Sequence, residues 1–261
     1  VLLLFINFCI TTMKLQIALL LAFLLLSSNI QLLNPVKSVT MIDIYGDSIF
    51  VKDSFDRCNV LIDTGDIDDY DSVISYIKGM GIHTIDYLII THEHADHNGE
   101  RKDLKSEFKV MNEVNSFNIH YNDIYCGSIK MKFFNFKKEY PSENNKSIVF
   151  TLEVDTVTYL FTGDMEYQKE EEFVSLYDVD IDILKSGHHG SITSSSDQFL
   201  EAIQAEEVWI SCYRKNIHKH PHEVIIERYQ ERNMAIYRTD TMGTITQYYI
   251  FGKGYKRLHK P

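Results

Sequence analysis

Three histidines and one aspartate lie within six residues of the chain, at His92, His94, Asp96 and His97. This histidine loop, residues 92–97, directly follows an apolar run that is typical of a buried strand. A strand that ends in such a loop presents its side chains close together. We therefore expect His92 and His94 to bind one metal ion, the first ion, and Asp96 and His97 to bind a second. Nitrogen and oxygen donors of this kind suit zinc, with manganese as the alternative.

Three more apolar runs end in side chains that could belong to the same site. One run leads into Asp164, a carboxylate placed to bridge two metal ions, and another leads into His188 and His189. A third ends at Asp63, which is better suited to orient the histidine loop than to bind metal. Because functional side chains gather where the strands of a sheet end, we expect these segments to converge on one sheet edge.

Together these motifs resemble the metallo-β-lactamase superfamily and, within it, the C-terminal domain of the ComEC family of bacterial DNA-uptake channels. The resemblance covers residues 39–243. It rests on residues 42–48, 61–65, 86–97, 144–147, 162–164, 188–191, 220–222 and 238–240. In one departure, residues 43–47 are shorter than the family's Asp-Val-Gly-Gln-Gly-Asp and lack its first glycine. No role is therefore assigned to that loop.

The resemblance implies an α/β fold of the metallo-β-lactamase type, an αββα sandwich in which helices flank two mixed sheets. It also implies that Asp164 bridges the two ions and that His189 binds the second ion. Because two consecutive extended residues cannot both reach one ion, His188 is expected to support the ligands from behind or to contact phosphate.

The first ion lacks one protein ligand in this scheme. Members of the superfamily usually supply a third histidine between the histidine loop and Asp164. His120 is the one histidine in that interval, and its surroundings predict a surface residue. ComEC-like domains instead carry Asn-Asn-x-Ser, as residues 144–147 do, so Asn145 is expected to contact substrate or to support the ligands. Water would then complete the first ion, an open catalytic arrangement.

A basic stretch, residues 208–222, contains three histidines and no acidic residue. It could be a surface loop that leads into a helix, but the resemblance implies a wall of the active site. His220 is expected to contact phosphate or to protonate a leaving oxygen, with His222 beside it. Lys185 is expected to hold phosphate, and Asp96 to orient the attacking water as well as to bind metal.

The function that the resemblance implies is metal-dependent hydrolysis of a phosphodiester. Single-stranded DNA would be the weakly held substrate, other competence proteins would be further partners, and the domain would lie on the extracytoplasmic side of the bacterial cell membrane. The alternative is a stand-alone secreted or surface hydrolase of a small phosphoester, such as a phosphocholine ester, with the same ligands. A non-catalytic channel domain is a third possibility, but it would require the ligands to be lost.

Residues 15–36 contain no charged side chain and are long enough to span a bilayer. We predict that residues 1–36 are a membrane-spanning segment and that residues 37–261 form the hydrolase domain. The alternative is a signal peptide that begins at Met13, with Lys14 as its charged end.

The chain of 261 residues is long enough for one large core. All 37 acidic residues follow position 34 and face 25 basic ones there, a net charge of −12. That charge argues against a broad nucleic-acid surface. The four cysteines show no paired spacing, which predicts neither a disulfide framework nor a thiolate zinc site. Cys212 is expected to be a small core residue.

From residue 37 onward, short apolar runs alternate with polar turns, which predicts strands with helices between them. The expected strands are residues 39–44, 48–51, 59–63, 86–91, 130–134, 147–154, 157–162, 181–185, 208–211, 235–238 and 244–250. The expected helices are residues 71–80, 167–177, 197–204 and 222–232. The three consecutive glutamates at 170–172 are predicted to form a solvated helix face.

Overall fold

The structure is a computed structural model that describes residues 12–21, 34–120 and 122–259. Residues 12–21 form a helix, α1. Of the helices described, none combines the length and the apolar character that a membrane crossing requires. The predicted membrane segment, residues 15–36, includes residues 22–33, which lie outside the described residues. That segment stays a prediction.

Two mixed sheets form the centre of the described part of the chain, each with seven strands. The first has the strand order β14-β13-β1-β2-β3-β4-β5 and the second β12-β11-β10-β9-β8-β7-β6. The first contains β1 (Lys37–Met41), β2 (Ile49–Lys52), β3 (Asn59–Ile62), β4 (Thr84–Ile89), β5 (Lys109–Val114), β13 (Thr244–Ile250) and β14 (Lys253–His259). The second contains β6 (Ile124–Cys126), β7 (Ile129–Phe133), β8 (Phe150–Val154), β9 (Val157–Phe161), β10 (Ile183–Lys185), β11 (Glu207–Ile210) and β12 (Ala235–Arg238).

Helices lie on the outer faces of both sheets and between the strands. Those that follow α1 are α2 (Tyr70–Gly79), α3 (Ala95–Asn98), α4 (Arg101–Glu107), α5 (Tyr167–Leu176), α6 (Asp197–Ile203), α7 (Glu223–Glu231) and α8 (Thr239–Met242). Buried side chains of α2 and α4 pack on the first sheet, and those of α5, α6 and α7 pack on the second. The predicted αββα sandwich is confirmed.

The core between the sheets arises from side chains that alternate along the strands. On β8, Phe150, Leu152 and Val154 point into it, and on β2 Ile49 and Val51 do the same. Full burial of such a side chain contributes about 1.5–3 kcal/mol. The rigid core therefore holds the strand ends at the edge where the predicted site residues lie.

The helices follow from the same physics. Helix α2 buries Val73, Ile74 and Ile77, which lie on one face at helical spacing. Helix α6 begins after Ser196, whose hydroxyl accepts a hydrogen bond from the backbone N–H of Phe199. This cap satisfies an N–H that has no partner within the helix.

Three edge strands are missing from the sequence prediction. β5, β6 and β14 lie at or beside sheet edges and carry polar side chains on exposed faces, so they contain no apolar run to reveal them. All the strands and helices that the sequence predicts are present, with ends shifted by up to three residues.

The prediction of a solvated glutamate face on α5 holds for Glu171, which is exposed, and is wrong for its two neighbours. Glu170 and Glu172 are buried, with 1% and 4% of their surface exposed. The Glu170 carboxylate accepts hydrogen bonds from the backbone N–H groups of Ser195 and Ser196, and that of Glu172 accepts one from Lys137. These carboxylates hold neighbouring loops against the helix, a tertiary role that local charge density does not reveal.

The prediction that the cysteines form no disulfide is also wrong. Cys58, just before β3 in the first sheet, is joined to Cys126 at the end of β6 in the second, with 68 residues of sequence separation. The bond ties the two sheets together. Pairing across two sheets depends on tertiary register, which cysteine spacing does not encode. Cys212 is free and buried, as predicted.

Candidate metal centre

Polar side chains from both sheets meet at one edge of the sandwich. Asp63 follows β3 and the histidine loop follows β4, while Asp164 follows β9 and His188–His189 follow β10. Strands β3 and β4 are parallel neighbours, as are β9 and β10, so their carboxyl ends lie side by side. The predicted convergence of these strand ends is confirmed by the distances between their side chains.

Asp63 sets the orientation of two histidines at once. Its Oδ2 atom accepts hydrogen bonds from His97 Nδ1 at 2.8 Å and from Thr91 Oγ1 at 2.7 Å. Because the Thr91 hydroxyl proton points to Asp63, its oxygen accepts from His92 Nδ1, 3.2 Å away. Both rings are therefore anchored through Nδ1 and turn Nε2 towards Asp164, so Nε2 is the nitrogen placed to bind metal. The geometry matches the predicted orienting role of Asp63.

The Asp164 carboxylate lies between two groups of histidines. Its Oδ1 is 3.3 Å from His97 Nε2 and 3.7 Å from His189 Nε2. Its Oδ2 is 3.8 Å from both His92 Nε2 and His188 Nε2. Burial raises the pKa of Asp164, but the charges of His97 and His189 outweigh burial and hold this pKa well below its usual value. The arrangement suits a carboxylate that serves two cations.

The remaining ligand candidates lie on either side of Asp164. His94 Nδ1 is 3.1 Å from His92 Nε2, and the His94 side chain is exposed. Asp96 Oδ2 is 3.4 Å from His189 Nε2. His189 donates from Nδ1 to the backbone oxygen of Ser211 at 3.0 Å, which directs its Nε2 at Asp96 and Asp164. The structure therefore brings together all six predicted ligands.

The donor set fits divalent cations. Among the described residues, four buried atoms at this cluster lack a hydrogen-bond partner, namely Asp47 Oδ1, His97 Nε2, Asp164 Oδ1 and His189 Nε2. Three sets of ligand atoms at this cluster each lie within 4.8 Å of one another, namely those of His92, His97 and Asp164, of Asp96, His97 and His189, and of Asp47, Asp63 and His97. A buried polar atom without a partner lowers the stability of the fold, and a bound cation would provide these four atoms with a partner.

The electrostatics of two histidines agree with this fit. Burial disfavours a charged His97 ring, yet the carboxylates of Asp164 and Asp63 raise its pKa well above the usual value. The pocket therefore attracts positive charge. Burial, aided by His97, lowers the pKa of His92 to about 2 and keeps that ring neutral. A neutral ring is what a metal ligand requires.

Asp47, in the loop to which the sequence analysis assigns no role, lies behind the centre. Only 1% of its surface is exposed, and its carboxylate forms an ion pair with Lys185 and lies 3.5 Å from His189 Nδ1. Its backbone N–H donates to Asp96 O at 3.0 Å. The Gly-Asp pair that the loop shares with the family motif is the signal that could have found it. Lys185, at 2% exposure, fits a buried counter-ion better than the expected phosphate contact.

Gly46 allows the close approach of this loop to the histidine loop. It has a φ of +93°, and a Cβ atom there would lie 1.9 Å from Asp96 O. We expect Gly46→Ala to push Asp96 away and to lower metal affinity about 10- to 100-fold, as loss of an outer partner does. Isothermal titration with zinc measures this effect.

Gly79→Ala is the matched control, because no atom lies within 4 Å of the added Cβ at the end of α2. It should bind metal as the wild type does. Unchanged zinc affinity in Gly46→Ala would contradict the role of the Gly46–Asp96 contact, provided that circular dichroism shows both variants folded.

The predicted wall of histidines is adjacent to the centre. The ring of His220 lies 5.5 Å from that of His188 and 4.9 Å from that of His222, between centroids. Burial and the neighbouring histidines lower the pKa of His220 to about 3, so its ring is neutral at neutral pH. His222 Nδ1 accepts from the backbone N–H of Ile192 and so supports the loop after His189.

Two residues of the interval before Asp164 lie outside the cluster. His120 is exposed, as predicted. Asn145 Oδ1 accepts from the backbone N–H of Glu166 at 2.8 Å, and its Nδ2 donates to Glu166 and Gln168. This asparagine shapes the loop after Asp164. Its neighbour Asn144 is the one whose amide nitrogen lies 3.4 Å from His188 Nδ1.

Comparison with known proteins agrees with this geometry. Residues 41–207 match the family described as the beta-lactamase superfamily domain. The chain belongs to this superfamily. Among solved structures, this superfamily member is similar to the metallo-beta-lactamase fold protein YhfI from Bacillus subtilis, with a TM-score of 0.53, 14% identity and coverage of 78% of this chain and 96% of YhfI. That likeness concerns the fold alone.

Curated relatives confirm the resemblance to the ComEC family. "ComE operon protein 3" of Bacillus subtilis is 30% identical over 254 residues, covering 81% of this chain and 33% of that protein. "Competence protein ComA" of Neisseria gonorrhoeae is 27% identical over 205 residues, covering 72% of this chain and 29% of that protein. This member of the superfamily thus spans about a third of the length of these curated relatives.

Proposed function

We propose that this chain is the phosphodiesterase domain of a ComEC-like DNA-uptake protein and cleaves single-stranded DNA with two divalent ions, zinc or manganese. The observation that carries the proposal is the position of Asp164, whose two oxygens lie near four histidine Nε2 atoms, two for each oxygen. A carboxylate in this position could be shared by two ions of a dinuclear centre. Bound ions would lower the pKa of a water molecule towards neutrality and offset charge that develops on the phosphate.

Side chains near the ions would orient the attacking water and contact the phosphate. Asp96 has 29% of its side chain exposed, on the open side of the centre, and is placed to orient the attacking water. His220 is neutral and partly buried, so we assign it a hydrogen bond to a phosphate oxygen in preference to proton donation. Asp63 holds His97 and the backbone oxygen of Ser211 holds His189, each through Nδ1.

Two features favour a polynucleotide over a small ester. The loop that leads to His220 exposes Arg214, Lys215 and Lys219 beside the centre. A cavity of about 520 Å³, lined by Phe117, Tyr140, Lys138 and Lys146 among others, adjoins the segment that carries Asn145 and Ser147. Aromatic rings beside cations suit the stacked bases and phosphates of a single strand. These cations are few, so binding should be weak and shallow in its salt dependence.

The proposed location is the outer face of the bacterial membrane, with residues 15–36 as the membrane segment. The disulfide between Cys58 and Cys126 supports the location, because structural disulfides persist in oxidising compartments and are rare in the cytosol. The similarity to competence proteins supports DNA as the substrate and other competence proteins as partners.

Cleavage assays on the metal-loaded chain test the substrate. We expect single-stranded DNA to be cut only with added zinc or manganese, and cleavage to fall at least about a thousandfold in Asp96→Ala, which lacks a ligand and the group that orients water. His220→Ala should lose about 10- to 1,000-fold, the range for a positioned polar group. Glu206→Ala, which removes an exposed carboxylate at the opposite end of β11, should cleave as the wild type does.

Brisk hydrolysis of bis(p-nitrophenyl) phosphate with intact single- and double-stranded DNA would replace the nuclease proposal with the small-phosphoester alternative. Equal DNA cleavage by the wild type and Asp96→Ala would indicate a contaminating nuclease and would also overturn it.

A further inference from the structure

His188 lies on the side of Asp164 where the first ion lacks a protein ligand. Its Nε2 and the Nε2 of His92 are each 3.8 Å from the same carboxylate oxygen, Asp164 Oδ2. The other carboxylate oxygen faces His97 and His189. The two consecutive histidines therefore address opposite sides of the shared carboxylate.

The backbone explains how neighbouring residues can do this. The sequence predicts an extended backbone at His188 and His189, but both adopt left-handed conformations, with φ values of 47° and 53°. Such a conformation is costly for residues other than glycine. Here it turns the two rings to an angle of 66°, with their centroids 6.4 Å apart. Gly190 follows the pair with a φ of +81°, a conformation that glycine adopts at little cost.

The outer edge of the His188 ring is already held by polar groups. Its Nδ1 lies 3.1 Å from Thr193 Oγ1 and 4.0 Å from Glu166 Oε1. A proton on Nδ1 that is donated to Thr193 Oγ1 leaves Nε2 unprotonated and directed at the centre. Metal-binding histidines are usually anchored in this way by their second nitrogen.

Other residues cannot supply this ligand. His120, the histidine in the interval where relatives carry one, is exposed and lies between β5 and β6. Asn145 is bound to Glu166 and Gln168. Within the described residues, His188 is thus the histidine beside Asp164 Oδ2 that comes from outside the histidine loop.

From this geometry we infer that His188 is the third histidine ligand of the first ion, in place of the residue that relatives supply upstream of Asp164. The inference rests on the proposed dinuclear centre. It changes the first ion from one completed by water to one held by His92, His94, His188 and the shared Asp164. A consecutive histidine pair then serves both ions, one ring for each.

Metal-binding titrations on the full chain test the assignment. Against a competing chelator, wild type should hold two zinc ions, whereas His188→Ala should keep one with unchanged affinity and bind the other at least about a hundredfold more weakly. X-ray absorption spectra of the zinc-loaded proteins should show fewer imidazole ligands per ion in His188→Ala than in the wild type. His188→Asn is the second variant, because asparagine tolerates the left-handed backbone, and it separates ligand loss from misfolding.

His120→Ala is the control, with an exposed ring outside the cluster, and should match the wild type. Two ions held with unchanged affinity in both His188 variants would overturn the assignment and leave the dinuclear centre intact. A wild-type chain that binds no zinc would overturn both.

Discussion

Replacement of Asp164 by alanine is expected to abolish tight binding of both metal ions. The carboxylate presents one oxygen to His97 and His189 and the other to His92 and His188, so its loss leaves each group one ligand short. We expect the affinity for each ion to fall by more than about a hundredfold, because loss of an outer partner alone costs 10- to 100-fold. Elemental analysis after dialysis should show less than one ion per chain, against two in the wild type.

Asp63→Asn provides a graded comparison. The amide keeps the size of Asp63, and asparagine tolerates the left-handed φ of 56° at this position. The amide nitrogen of asparagine is a hydrogen-bond donor, so the side chain can no longer accept hydrogen bonds through both terminal atoms. The orientation of His97 and, through Thr91, of His92 is then less well fixed. The affinity loss should lie between those of the wild type and Asp164→Ala. Two tightly held ions in Asp164→Ala would overturn the shared-carboxylate role, and equal losses in the two variants would contradict the indirect role of Asp63.

The part of the site that could be predicted is the part that a strand end encodes locally. His92, Asp164 and His189 each follow an apolar run, and an apolar run that stops at a polar residue marks a position at the sheet edge. Parallel pairing of β3 with β4 and of β9 with β10 then brings those ends together. Composition and order along the chain suffice for this step.

Asp47 could not be predicted in this way, because its role depends on a contact across the fold. Its backbone donates to Asp96, its side chain pairs with Lys185, and both partners are distant in sequence. The same holds for Glu170, whose carboxylate caps a loop 25 residues away. Local sequence reports that these residues are acidic, and only the packed fold shows that they are buried.

The histidine pair marks a different limit. Residue types at 188 and 189 indicated metal chemistry, but the ring directions depend on φ, and two adjacent left-handed residues have no local signature beyond the glycines that flank them. An extended backbone would have sent one ring away from the centre. The choice between one ligand and two is therefore a property of the turn.

Reduction of the disulfide is expected to cause the largest loss of stability. Cys58 and Cys126 close a loop with 68 residues of separation, and chain entropy for such a loop predicts a contribution of about 4 kcal/mol. For a chain of this size, that loss lowers the melting temperature by roughly 10 °C. Thermal unfolding followed by circular dichroism, with and without dithiothreitol, measures the shift.

The double variant Cys58→Ala/Cys126→Ala separates the bond from other effects of the reductant. It should melt at the lower temperature in both conditions, because the cross-link is absent, while the buried Cys212 remains as an internal control for thiol chemistry. If dithiothreitol lowered the melting temperature of the double variant by the same amount, the loss of stability would not come from the disulfide. Equal melting of the wild type with and without reductant would show that the bond does not stabilise the fold, and the argument for an oxidising compartment would lose its support. Because the cross-link joins the first sheet to the second, and each sheet carries part of the metal centre, zinc affinity should fall in parallel with stability.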